Sequence, residues 1–262
     1  MQQYKCIFIF LIIFLNFNSS AAHLEEVKPE SVGISSNRLQ VISSVFKEAI
    51  LNKKFPGAVI AIAREGKIIY FETFGWQNYS QKIPMQKDSI FRIYSMTKPI
   101  ISVATMILNE KGKFHLSEPI SKYLPEFKKT QVLKKYNSSE KLYPTQNSIK
   151  IHDLLRHTSG ITYGVFGNSP AKNKLKNSQI GNLNNINISL EKYVQILSSY
   201  PLAYEPGTHW EYGRSVEVLG RLIEKSSKLK LDKFLKNNIF LPLNMKDTGF
   251  FVDKKNWNRI AN

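Results

Sequence analysis

One segment constrains the fold of this chain more than any other. From Ser95 to Lys111 the apolar residues Ile100, Ile101, Val103, Ala104, Met106, Ile107 and Leu108 recur at helical spacing and wrap most of the way round. A helix apolar on nearly all sides is stable only when other elements cover it, so a buried helix inside a layered domain is expected. Gly112 stands where its C-terminal cap belongs. Upstream, Ser36 to Leu51 has the same period, with Ser35 or Ser36 available as N-cap. Gly57 to Ala63 and Lys67 to Phe74 are β-branched apolar runs joined by Arg64, Glu65 and Gly66, the pattern of a β-hairpin. A helix followed by a hairpin opens an α/β layer. Shorter helical pieces are expected at Ser117 to Tyr123, Ile151 to His157, Ser189 to Ser198, Val216 to Lys225 and Leu231 to Phe240. Lys128 to Ser148 and Gly164 to Asn187 are rich in Asn, Lys and Ser and read as aperiodic surface excursions.

The first residues speak to the compartment. Met1 to Lys5 is a short basic stretch, Cys6 to Phe17 is almost unbroken apolar sequence, and Ser20, Ala21 and Ala22 supply small residues for cleavage. A spanning helix needs roughly 20 apolar residues, so residues 1–22 read as a secretory signal peptide. The chain is therefore expected to be secreted or periplasmic, or membrane-anchored if this segment stays uncleaved. Its only cysteine, Cys6, lies inside the segment, which excludes thiol nucleophiles, disulfides and thiolate metal sites from the exported part. Hydrophobic residues make up 42% of the 262-residue chain, too many for a disordered protein and too interrupted for repeated membrane spans. The formal charge of +17 raises an acidic partner, although compositional bias alongside many Asn and Ile explains the basic excess more simply, and for an exported chain an anionic envelope surface ranks ahead of nucleic acid.

Among side chains that carry chemistry, Ser-x-x-Lys occurs at Ser44, Ser95, Ser138, Ser169, Ser189 and Ser227, so context must separate the matches. Only at Ser95 does the pair open a long apolar helix directly after a strand-like run, Ser89 to Tyr94. A serine there meets unpaired backbone N–H groups and the positive helix end, both favourable to a developing oxyanion. Lys98 would enter the core, where burial lowers the ammonium pKa and prepares it to accept a proton. The bland alternative is a capping serine beside a lysine that reaches for water. His23, His115, His152, His157 and His209 form no metal-binding spacing, and His157, before Thr158-Ser159-Gly160, is expected to make a structural hydrogen bond. No metal or organic cofactor is implied.

Seven collinear segments carry a family resemblance. They are Pro56 to Ala63, Phe91 to Ile100, Glu118 to Pro125, Ile151 to Gly160, Glu205 to Tyr212, Val218 to Gly220 and Pro242 to Phe250. Together they resemble the serine β-lactamase and penicillin-binding-protein-like superfamily, notably class C β-lactamases, D-alanyl-D-alanine carboxypeptidases and related esterases. The resemblance implies a β-lactamase-like α/β (α+β) fold with an antiparallel sheet flanked by helices and a mainly helical subdomain over about 117–204. It implies that Ser95 is the acylated nucleophile, Lys98 its proton acceptor and Tyr212 a partner in the proton transfers.

Two departures qualify this. The family's Tyr-x-Asn is here Tyr212-Gly213-Arg214, and Arg214 brings a permanent charge that cannot accept a hydrogen bond. As a surface residue or as a group that binds an acidic part of the substrate, it argues against efficient β-lactam hydrolysis. No Lys-Thr-Gly or His-x-Gly triad occurs, so residues 23–262 are expected to form an incomplete domain, with C-terminal strands missing and an oxyanion donor lost. Such a loss costs roughly 10²- to 10³-fold in rate. A partner completing the sheet would then be required for full activity. The reading is an exported serine hydrolase that cleaves ester or amide bonds of a small-molecule or peptidoglycan-like substrate through an acyl-serine. The alternatives are a D-Ala-D-Ala carboxypeptidase or β-lactamase, and a non-catalytic remnant that binds peptidoglycan or another anionic envelope polymer.

Overall fold

The computed structural model describes residues 24–262 other than 138, 165, 167, 168 and 182–186. The expected signal peptide and Cys6 lie outside the described residues. Among the described residues no helix is long and apolar enough to cross a membrane.

The N-terminal layer follows its sequence signals closely. Helix α1 (Ser36–Leu51) starts where the Ser35 side chain accepts from the Arg38 amide, satisfying one of the free donors of the first turn. Strands β1 (Gly57–Arg64) and β2 (Lys67–Asn78) form an antiparallel hairpin. Its two-residue turn places Glu65 at φ 52° and Gly66 at φ 72°, the left-handed pair that matches strand twist. A short β3 (Ile83–Pro84) extends the sheet on the far side of β2. Helix α1 packs on β2 through Phe46 and Phe74, with ring centroids 5.6 Å apart, and through a 2.8 Å hydrogen bond between Ser43 and Tyr70.

Residues far along the chain also join this layer. Ile90 pairs in parallel with Ile260, its amide donating to the Arg259 carbonyl at 2.7 Å while its carbonyl accepts from Ala261 at 2.9 Å. The Arg259 guanidinium donates to the Asp88 carbonyl through Nε and Nη2 at 3.0 and 2.8 Å, and Gln77 donates to the Asn258 carbonyl at 2.7 Å. The segment that leads into Ser95 is therefore clamped from both sides of the chain.

The main core lies beyond the sheet. Helices α2 (Thr97–Glu110), α3 (Ile151–Leu155), α4 (Pro170–Lys176), α5 (Leu190–Ser198), α6 (Ser215–Ser227) and α7 (Leu231–Leu235) surround it. Helix α6 is central: Val216, Val218, Leu219, Leu222 and Ile223 are buried, each stabilising the fold by ~1.5–3 kcal/mol relative to exposure. The helical region over 117–204 shares this one core with α2, α6 and α7.

Four expectations are corrected. Helix α2 is buried on one face only, through Ile101, Ala104, Thr105 and Leu108, because its neighbours pack on that side; Val103 and Met106 are exposed. Residues 128–148 hold a hairpin of β4 (Gln131–Tyr136) and β5 (Ser139–Pro144), seated on the core by Val132 and Leu133 and paired to Leu202. Residues 164–187 contain α4, anchored by buried Ala171 and Leu175, one helical turn apart. The expected helix at Ser117 to Tyr123 is a single 3-10 turn, Ile120–Lys122.

Candidate active site

Ser95 lies in the 3-10 turn Tyr94–Met96 that feeds into α2. Tyr94, just before it, has φ 41°, a left-handed backbone that non-glycine residues seldom adopt. Three residues on, Lys98 turns back along the helix and its Nζ donates to Ser95 Oγ at 3.2 Å. Of the Ser-x-x-Lys matches, this is the one whose lysine ammonium donates to the serine hydroxyl among the described residues; at Ser189 the hydroxyl accepts from the Lys192 backbone amide instead. The same Nζ donates to the Tyr163 hydroxyl at 3.2 Å and lies 4.9 Å from the Tyr212 ring centroid.

Tyr212 arrives from the loop before α6. Its position depends on Gly213, where any β-carbon would collide with the Ile161 carbonyl. That close approach sets the Tyr212 loop against Ile161 to Tyr163, and the two tyrosine rings lie 5.6 Å apart. Buried Ser159 and Ser215 join the same two segments by a 2.8 Å hydrogen bond. His157 has a structural place: its ring packs 4.9 Å from that of Tyr212, and Nδ1 accepts from the Gly213 amide at 3.4 Å. Burial, then the nearby Lys98 charge, hold its pKa below the ordinary histidine value. Asp153 accepts from the Lys150 amide, Arg156 and Thr158 and so ties down the turn that carries His157.

The electrostatics reverse one expectation. Burial is the largest single influence on Lys98 and pulls its pKa down, but hydrogen bonding to Tyr212 and Tyr163 and the charges of Tyr163 and Glu217 outweigh it. Lys98 therefore sits above its ordinary value, as an ammonium. Tyr212 moves the opposite way: hydrogen bonding with Ser95, then with Lys98, draws its phenol below the usual tyrosine range. The two shifts run in opposite directions, and the Lys98 ammonium beside the Tyr212 phenol favours its ionised form.

Arg214 is corrected as well. Its side chain is fully buried, with Nη1 donating to the Ile180 carbonyl at 2.6 Å and the Tyr193 hydroxyl at 2.8 Å, and Nη2 to the Gly181 carbonyl at 3.4 Å. Through these acceptors the guanidinium braces the 180–181 turn against α5 and α6, so the residue is buried and not on the surface. Tyr163 is the residue that sequence reasoning missed; its signal was its place directly after the His157-to-Gly160 segment. An open groove lined by Ile90, Phe91, Tyr94, Met96, Phe250 and Trp257 runs past the front of α2. Among the described residues no group of three or more His, Cys, Asp or Glu side chains is gathered for a metal.

The family described as Beta-lactamase matches residues 42–262. Esterase EstB of Burkholderia gladioli is 32% identical over 210 residues, which are 80% of this chain and 50% of that protein. Among solved structures, EstCE1, a hydrolase with promiscuous acyltransferase activity, superposes with a TM-score of 0.72 at 28% identity, covering 85% of this chain and 55% of the other. Simvastatin synthase (LovD) from Aspergillus terreus does so with a TM-score of 0.70 at 26% identity, over 87% and 57%. The chain spans about half the length of the curated relatives it matches.

Proposed function

Because the chain belongs to the beta-lactamase family, we propose that it is a serine hydrolase that cleaves carboxylic esters through an acyl-enzyme on Ser95. The observation that carries this reading is the placement of the Lys98 ammonium, 3.2 Å from Ser95 Oγ and over the ring of Tyr212. In the first step Tyr212 takes the Ser95 hydroxyl proton as Oγ attacks the ester carbonyl. The Lys98 charge stabilises the phenolate before transfer and the site's net charge after it. The oxyanion forms at the N-terminal end of α2, where the Ser95 amide and the helix dipole favour negative charge. Tyr212 then returns the proton to the leaving alcohol, and the reverse sequence with water releases the acid.

The esterase and acyltransferase names of EstB, EstCE1 and LovD support an ester over a β-lactam. So does Arg214, which fills the amide position of Tyr-x-Asn yet keeps its side chain out of the site. Intact-mass spectrometry after exposure to a fluorophosphonate, with Ser95→Ala as control, tests the nucleophile. A single adduct that vanishes in Ser95→Ala is expected, with turnover of short-chain esters and none of a labelled penicillin. A folded sample with no adduct would sink the proposal.

We further propose that the chain is exported, on the basic and apolar runs of residues 1–22. N-terminal sequencing of the natural protein should begin near residue 23, and an intact Met1 would refute cleavage.

A further inference from the structure

Glu217, in the first turn of α6, has no part in the scheme above, yet its carboxyl is buried beside the site. Its Oε1 accepts from the Tyr163 hydroxyl at 3.4 Å, and its Oε2, also buried, has no hydrogen-bond partner among the described residues. Tyr163 is itself buried and receives the Lys98 ammonium at 3.2 Å. A tyrosine hydroxyl has one proton to give and lone pairs to receive. Donated to Glu217, that proton leaves the Tyr163 oxygen free to accept from Lys98, and the chain runs in one direction from Lys98 through Tyr163 to Glu217.

We infer that Glu217 is a positioning residue: by accepting the Tyr163 hydroxyl proton it fixes Tyr163 as an acceptor and so holds Lys98 within reach of Ser95. The charged and titratable groups facing it are Lys98 from α2, Arg214 from the residue before α6, Tyr163 from the preceding loop, Tyr193 from α5 and Tyr212. Arg214 directs its Nη hydrogen bonds to Ile180, Gly181 and Tyr193, and among the described residues Tyr163 is the side chain that hydrogen-bonds Glu217. Burial pushes the Glu217 carboxyl up, while its own backbone amide and the Lys98 and Arg214 charges pull it back. A carboxylic acid and a carboxylate both present an oxygen to Tyr163, so the bond survives either state.

The test compares Tyr163→Phe, Glu217→Leu, Glu217→Gln and the double variant Tyr163→Phe/Glu217→Leu. Two readouts are used: the rate of fluorophosphonate labelling of Ser95, and the titration of Lys98 followed by NMR after ¹³C reductive methylation. Tyr163→Phe and Glu217→Leu should each slow labelling by about 10- to 100-fold. The double variant should be no slower than the slower single one, since both break the same chain. Glu217→Gln keeps an acceptor oxygen and should stay close to the parent rate. Lys98 should titrate lower in Glu217→Leu and in Tyr163→Phe than in the parent. Parent-like labelling of Glu217→Leu, multiplying losses in the double variant, or Glu217→Gln as slow as Glu217→Leu would each overturn the inference.

The rate readout rests on the acyl-serine reading, and the Lys98 titration does not. If the parent chain fails to label, that reading falls, and the titration alone decides: a lower Lys98 value in Glu217→Leu supports the role of Glu217, and an unmoved one overturns it. If Glu217→Leu does not fold, adding Glu217→Gln to Tyr163→Phe must change nothing, and any further loss overturns the inference.

Discussion

Replacing Arg214 by asparagine would give the chain the Tyr-x-Asn triplet usual in its family, and the structure predicts that the exchange weakens the fold. The guanidinium is fully buried and serves three acceptors, two of them at 2.6 and 2.8 Å. An asparagine amide is too short to reach them. Each strong acceptor left unpaired costs ~1–3 kcal/mol, and the vacated volume adds to this. Relief of the buried charge and of the unpartnered Nε offsets part. With two strong acceptors unpaired at that cost, the cavity added and the relief subtracted, the net loss is about 3–5 kcal/mol. At about 2–4 °C per kcal/mol for a chain of this size, the melting temperature should fall by roughly 6–20 °C. Thermal and urea unfolding of Arg214→Asn beside the parent measures it, with Arg214→Lys expected between the two because it keeps a charge and a donor. An Arg214→Asn chain that melts within about 2 °C of the parent refutes the bracing role. If that chain also lost ester turnover, Arg214 would be a substrate-binding residue after all.

Three further outcomes follow from the site and its surroundings. Lys98→Met removes the ammonium that, after the hydrogen bond with Ser95, draws the Tyr212 phenol below its ordinary value. On the proposed mechanism Tyr212 acts as the phenolate, so the rising limb of labelling should move to higher pH; an unmoved limb would show that Tyr212 is not the base. Gly213→Ala forces the Tyr212 loop away from Ile161, and a displacement of ~1 Å should cost about 100-fold in labelling rate; parent-like labelling would refute the close approach. Asp247 accepts 3.0 and 2.7 Å bonds from Arg259 and has its pKa lowered first by that hydrogen bonding. A lowered folded-state value gives stability that is present above the unfolded value near 3.8 and lost as pH falls through the folded one. Asp247→Asn should thus lower the urea midpoint at neutral pH, by less than about 1 kcal/mol for so exposed a pair, and the difference should vanish in acid. A difference that persisted there would not be ionic.

Local chemistry made some of this legible in the sequence. The β1–β2 hairpin announces itself through two β-branched runs and a Glu-Gly turn, and α1 through its period and its Ser35 cap. The β4–β5 hairpin does not, because every residue of β5 is exposed and no alternation of apolar and polar residues marks it. It is held by cross-strand contacts such as Tyr136 with Tyr143, which depend on a register the sequence alone does not display. In α2 the apolar girdle overstated burial, since what covers a helix is decided by its neighbours. Ser95, Lys98 and Tyr212 could be found through motifs. The direction of the Lys98 shift could not, because it depends on two tyrosines brought together from distant loops. Arg214 was misplaced for the same reason: its acceptors lie 33 and 34 residues upstream.

The pairing of Ile90 with Ile260 bears on the order in which the molecule is built. A ribosome releases the nucleophile segment long before the residues that clamp it, and Arg259 reaches Asp88 across 171 positions. Closing so long a loop carries an entropic cost that is repaid only when both ends are present. The helical core over Ile101 to Phe240 is built from contacts that do not need this pairing, so the approach to Ser95 depends on residues made up to 171 positions later than itself.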